Sequence, residues 1–186
     1  MIHSSSVRLK KEVEAQRALL DNDMSEYVPD ISTFTISAVF QELGDFYRKH
    51  PKTTGKNLKF EMKCDDLVVQ SDASLIVRVL CNMITNALEA SEPGQTVRIW
   101  AELTAEGIMF GVWNHQPVPE AIRLRIFQRN YSTKSGLGRG LGAYSMKLFG
   151  EKILGGRIDF ITSEEDGTTF HFVLPKKILL DKNRQS

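Results

Sequence analysis

Apolar and polar positions along this chain repeat at two periods, and the switches between them outline its elements. Ile36, Val39, Phe40, Leu43 and Phe46 or Tyr47 recur at helical spacing up to His50, with Pro29 breaking the chain ahead of them and Asp30 or Ser32 as the introducing cap. Asn57 to Cys64 (NLKFEMKC) alternates as a half-buried strand does, and Leu67 to Gln70 reads as a shorter strand. Asp72 opens the longest apolar helix, whose buried face takes Leu75, Ile76, Val79, Leu80, Met83, Ile84, Ala87 and Leu88 before Pro93 and Gly94 turn the chain. Thr96 to Leu103 (TVRIWAEL) and Gly107 to Asn114 (GIMFGVWN) form an antiparallel pair, with Trp100 and Trp113 as core or sheet-face residues. After Pro117 and Pro119, Glu120 to Gln128 predicts a short helix. Leu141 to about Ile153 predicts another, ended by Gly155 and Gly156. Arg157 to Thr162 and Thr168 to Leu174 close the series as strands joined by the turn Glu165, Asp166, Gly167.

At the start, Val7 to Asp21 predicts a helix capped by Ser5 or Ser6. Its apolar stripe of Leu9, Val13 and Leu20 is too thin for a core of its own, so it reads as the end of a longer helix whose packing partner lies elsewhere. Helices interleaved with mainly antiparallel strand pairs imply an α/β two-layer sandwich, helices packed on one face of a mixed, mainly antiparallel sheet. The expected division is a flexible start and helix over residues 1–28, one folded domain over 29–176, and a tail over 177–186. The tail is solvated unless Ile178, Leu179 and Leu180 anchor it.

A length of 186 residues, 41% of them hydrophobic and 25% charged, suits one domain with an appendage. The net charge of +1 argues against a dedicated nucleic-acid binder. Cys64 and Cys81 suggest neither a zinc site nor a disulfide framework, and a reducing compartment is the default. No apolar run long enough to span a bilayer and no charged-then-apolar leader is visible, so no membrane contact is expected of this segment.

Two stretches carry candidate chemistry. Asn82 and Asn86 lie four apart, on one side of the most apolar helix. A buried carboxamide without a partner costs on the order of a few kcal/mol, so the pair needs a ligand or neighbouring loops to cap. Tyr131 to Tyr144 (YSTKSGLGRGLGAY) sets Ser132, Thr133 and Lys134 before Gly136, Gly138, Gly140 and Gly142, with an apolar helix following. Alternate glycines let backbone N–H groups approach an anion, which makes this either a phosphate cradle or a flexible loop before a helix.

Taken together, these stretches resemble the ATP-binding domain shared by sensor histidine kinases, type II topoisomerases, Hsp90 chaperones and MutL mismatch-repair proteins. The histidine kinase branch is the best match, from about Ile36 to Pro175. NMITNALEAS (Asn82 to Ser91) resembles the family's N box, VWNHQPVPEAI its first glycine box, RIFQRNYSTK its phenylalanine box, GRGLGAYSMK its second glycine box and DGTTFHFVLP its closing strand. One departure stands out. Where the family carries an aspartate followed two and four residues later by glycines, this chain has Asn114, Gln116 and one residue fewer before Val118. An amide oxygen still offers an acceptor to the adenine amino group.

The resemblance implies a catalytic domain that binds ATP and Mg²⁺ in a cytoplasmic two-component kinase. It would transfer the γ-phosphoryl group to a histidine on the dimerisation hairpin of the same homodimeric kinase, with a response regulator as the next partner. The alternative is a nucleotide-binding or interaction module without kinase activity. The resemblance implies Asn86 as the Mg²⁺ ligand, Asn82 on phosphate or supporting the metal site, and Lys134 on the outer phosphates. Asn114, Phe127, Ser132, Thr133, Gly138, Arg139, Gly140, Leu141, Gly142 and Thr168 complete the nucleotide site, with Asn130 to Arg139 as a lid. Glu89 either activates the acceptor or is a solvated helix-end carboxylate. Phe127 and Tyr131 either pack the lid on the core or stack on the base. Arg139 is a phosphate contact or a solubilising residue. The acceptor lies elsewhere, because His3, His50, His115 and His171 lack the acidic follower and the helix it needs; the Val7 to Asp21 helix then reads as a stub of that hairpin.

Overall fold

The computed structural model describes residues 27–63, 67–129 and 142–176. The predicted Val7 to Asp21 helix and the tail from Lys177 lie outside them. The first described strand, β1 (Ser32–Thr35), pairs antiparallel with β3 (Val68–Ser71). It corrects the expectation that Asp30 or Ser32 caps a helix here: α1 (Ile36–Tyr47) begins one residue past β1, and Thr35 Oγ1 accepts from the Ala38 N–H as its cap. Ile36, Val39, Phe40 and Leu43 are buried as predicted. Of the two candidate aromatics Tyr47 is the inward one at 1% exposure, and Phe46 is 54% exposed.

Strand β2 (Asn57–Met62) falls within the predicted Asn57 to Cys64, and Cys64 lies outside the described residues. Helix α2 (Ala73–Ala90) starts where predicted, capped by Asp72, whose Oδ1 accepts from the Leu75 N–H at 3.1 Å. All eight apolar residues assigned to its inner face are buried. Strands β4 (Thr96–Leu103), β5 (Gly107–Asn114), β6 (Arg157–Ser163) and β7 (Gly167–Pro175) match the predicted pairs. The main sheet runs β2-β4-β5-β7-β6, with β2 and β4 parallel and every other neighbour antiparallel.

The alternation of these strands decides which face is covered. Val97, Ile99 and Ala101 of β4, Ile108, Phe110 and Val112 of β5, and Phe170, Phe172 and Leu174 of β7 point inward and bury against α1 and α2. Trp100, Trp113, Asp159 and His171 occupy the opposite parity. Trp100 lies over Gly111, where any Cβ would intrude on the indole, and the Lys63 ammonium sits 4.6 Å from the ring centre. Both tryptophans are therefore sheet-face residues.

Two helices are shorter or less regular than the pattern predicts. The Glu120 to Gln128 expectation reduces to α3 (Glu120–Arg123), followed by turns, because Leu124 is exposed and gives the helix nothing to pack. The last helix opens as α4 (Gly142–Lys147) and widens into a π-helical turn over Leu148–Ile153, where the Leu154 N–H reaches the Phe149 carbonyl five residues back. The wide turn lets Gly150 press against Ile158 and Phe172, where a side chain would not fit.

Candidate nucleotide site

The inner face of the sheet turns from apolar to polar at one end. Asn114 pairs in register with Thr168, and Thr168 with Thr162, so these three side chains continue the inward row beyond Val112, Phe170 and Phe160. Asn114 is 2% exposed and Thr168 also buried. Hydrogen bonds join them into one network. Val118 N–H donates to Thr162 Oγ1 at 2.9 Å, Thr162 and Thr168 share a hydroxyl bond of 2.8 Å, and Thr168 Oγ1 donates to the Gln116 carbonyl at 2.8 Å. The same carbonyl accepts from Asn114 Nδ2 at 3.1 Å. The segment after β5, which lacks the glycines of the resembled family, is thus held by side chains. Gly167 makes the fit possible: its φ is +75, and a side chain there would strike the Asn114 and His115 carbonyls.

A second polar cluster comes from α2 and α4. Asn82 and Asn86 are half-buried on one side of α2, as their spacing predicts. Asn82 Nδ2 donates to Ser145 Oγ at 2.8 Å, and Ser145 Oγ donates to the Gly142 carbonyl at 2.8 Å. The side-chain oxygens of both asparagines face Gly142: a Cβ there would lie 3.6 Å from Asn82 Oδ1 and 4.0 Å from Asn86 Oδ1. Two hard, neutral oxygens thus lie beside one glycine, a donor type that suits a small divalent cation that keeps water and phosphate as its other ligands. Among the described residues no group of three His, Cys, Asp or Glu is placed to hold a metal.

Other candidates are placed as follows. Phe127 packs edge-on to Phe160 and Phe170 at 5.8 and 6.3 Å, with the Lys147 ammonium 5.1 Å from its ring centre. That is the packing alternative. Glu89 forms an ion pair with Lys52. His50 caps the turn at Pro51–Thr53, His115 is exposed beside Trp113, and His171 Nδ1 lies 3.1 Å from Asp159. Tyr131, Ser132, Thr133, Lys134, Gly138, Arg139, Gly140 and Leu141 fall outside the described residues.

Three participants escape a reading of the residues alone: Ser145, Thr162 and the Gln116 carbonyl. Ser145 left one faint signal, a small hydroxyl between Tyr144 and Met146 three residues into an apolar helix. Backbone carbonyls leave none.

Residues 71–178 match the family model described as histidine kinase-, DNA gyrase B-, and HSP90-like ATPase. Sensor protein KdpD of Clostridium acetobutylicum is 27% identical over 149 residues, 77% of this chain and 16% of that protein. Sensor protein SrrB of Staphylococcus aureus is 29% identical over 147 residues, 76% of this chain and 25% of that protein. The chain therefore spans a sixth to a quarter of the length of these curated relatives. The solved catalytic domain of histidine kinase ThkA is 28% identical with a TM-score of 0.70, covering 79% of this chain and 96% of that one. ThkA in complex with response regulator protein TrrA is 25% identical at the same TM-score of 0.70, covering 92% of this chain and 49% of that one.

Proposed function

Because the chain belongs to the histidine kinase-, DNA gyrase B- and HSP90-like ATPase family, we propose that it is the ATP-binding catalytic domain of a two-component sensor kinase, transferring the γ-phosphoryl group of ATP to a histidine outside it. One observation carries this reading: the placement of Asn82 Oδ1 and Asn86 Oδ1 beside the same residue, Gly142. Phosphoryl transfer needs positioning and charge neutralisation more than covalent chemistry from the protein.

Asn86 would hold Mg²⁺, with Asn82 beside it. When bound, the ion neutralises charge on the phosphates and fixes their geometry. Asn114 has its Nδ2 engaged by the Gln116 carbonyl, which leaves Oδ1 as the atom offered to the adenine amino group. Lys134 and the amides of the glycine-rich stretch take the outer phosphates. The acceptor is a histidine on a dimerisation hairpin of the full-length homodimeric kinase, working on the cytoplasmic side with a response regulator downstream; the structure of ThkA with TrrA supports such a partnership by similarity.

The test is a calorimetric titration with a non-hydrolysable ATP analogue, with and without Mg²⁺, on the parent chain and Asn86→Ala, followed by phosphotransfer to a separately supplied histidine hairpin. Mg²⁺-dependent binding that is lost in the variant is the expected result. No binding at millimolar nucleotide would refute the kinase reading in favour of an interaction module.

A further inference from the structure

We propose that Ser145 is a positioning residue for the metal-phosphate site, acting by locking the orientation of the Asn82 amide. The proposal rests on the nucleotide-site reading above. A serine hydroxyl carries one hydrogen, and the Gly142 carbonyl can only accept. With that hydrogen on the Gly142 carbonyl at 2.8 Å, Ser145 Oγ presents a lone pair to Asn82, so Asn82 must answer with its NH₂ group, which it does at 2.8 Å. The amide has two faces, and fixing the donor on one side fixes Oδ1 on the other, toward Gly142 beside Asn86 Oδ1.

Among the described residues, Ser145 is the hydrogen-bond partner that tells the two ends of the amide apart. A flipped Asn82 would present hydrogens where a cation needs an acceptor, and the NH₂ group carries partial positive charge. Ser145 is 3% exposed, so water does not readily take its place. The hydroxyl also ties α2 to the first residue of α4 and so sets Asn82 against Gly142. The bond links residues 63 positions apart in the chain, which is why no local pattern announces it.

The experiment compares the parent chain with Ser145→Ala and Ser145→Thr. Affinity for the non-hydrolysable ATP analogue is measured with Mg²⁺ and with chelator, and thermal melts check that each variant folds. Loss of a partner one shell out from a metal typically weakens metal affinity by about tenfold to a hundredfold. Ser145→Ala should lose that much of the Mg²⁺-dependent gain while its affinity in chelator is unchanged, and Ser145→Thr should restore it. In an Asn82→Ala background, Ser145→Ala should cost no further Mg²⁺-dependent affinity, because it acts through Asn82. An equal loss with and without Mg²⁺ would mark Ser145 as merely structural and overturn the proposal, as would no loss at all or a full further loss in the Asn82→Ala background. Asn86→Ala separates this from failure of the parent reading. If Asn86→Ala abolishes the Mg²⁺ gain and Ser145→Ala leaves it intact, only the present inference falls; if neither changes it, the metal site itself is wrong.

Discussion

Replacing Asn114 by aspartate would restore the residue type of the resembled family, yet this structure predicts that it harms the protein. Asn114 Nδ2 donates to the Gln116 carbonyl at 3.1 Å, and a carboxylate would point an acceptor at an acceptor there. The site is 2% exposed, so water cannot relieve the clash. The Gln116 carbonyl keeps its bond from Thr168 and is not orphaned. The cost is then one lost hydrogen bond, about 1 kcal/mol, plus a charge held in a buried site with no new donor among the described residues, together roughly 2–3 kcal/mol. For a domain of this size that lowers Tm by roughly 5–10 °C.

The deficit should depend on pH. Burial without a donor raises the folded-state pKa of the introduced carboxyl above its unfolded value of about 3.9. Between the two values the folded chain binds more protons than the unfolded one, so the variant's stability falls as pH rises through that window. Below it the neutral acid can donate to Gln116 and the gap to the parent narrows. Asn114→Ala, which introduces no charge, should show no such slope. Urea denaturation of the three proteins from pH 4.5 to 8 reads this directly. Parent-like stability of Asn114→Asp at pH 8, or a deficit that does not move with pH, would refute the reasoning.

Two further outcomes follow from the packing. Gly111→Ala drives a methyl group into the Trp100 ring and should cost about 1–3 kcal/mol by overpacking, seen as a lower urea midpoint together with altered tryptophan fluorescence. Asp72→Ala removes the cap of α2 and the acceptor of four hydrogen bonds, and should cost at least about 2 kcal/mol. Burial first, and then Asp72, hold the Tyr27 phenol above the ordinary tyrosine range, so the same variant should bring its ultraviolet titration to lower pH.

What could be read from the residues alone tracks how local the cause is. The face of α2 and the strands β4 and β5 were legible almost to the residue, since burial writes itself into apolar spacing. Strand β1 was not: STFT is four residues long and pairs with β3, a strand more than thirty positions on, although its threonines and Phe34 carry strand propensity. The π-helical turn was equally hidden, because it answers to the fit of Gly150 on Ile158 and Phe172. At the site, Asn82, Asn86 and Gly142 stood out as residue types in an unexpected setting. Their orientation depends on Ser145, and the Asn114 network depends on a backbone carbonyl, and neither has a signature in the pattern.

The Asp72 carboxylate divides its labour between its two oxygens. Oδ1 takes the Ser74 hydroxyl at 2.6 Å and the Leu75 N–H at 3.1 Å, and Oδ2 takes the Asp30 N–H at 2.8 Å and the Tyr27 hydroxyl at 3.4 Å. One side chain thus moors the incoming strand of chain to the prow of the helix that bears Asn82 and Asn86. Ten residues at 1.5 Å rise put that mooring about 15 Å along the axis from Asn82. Any displacement of the segment around Tyr27 and Asp30 therefore pulls on the first turn of that helix, and separating the two must strip a buried carboxylate of its donors.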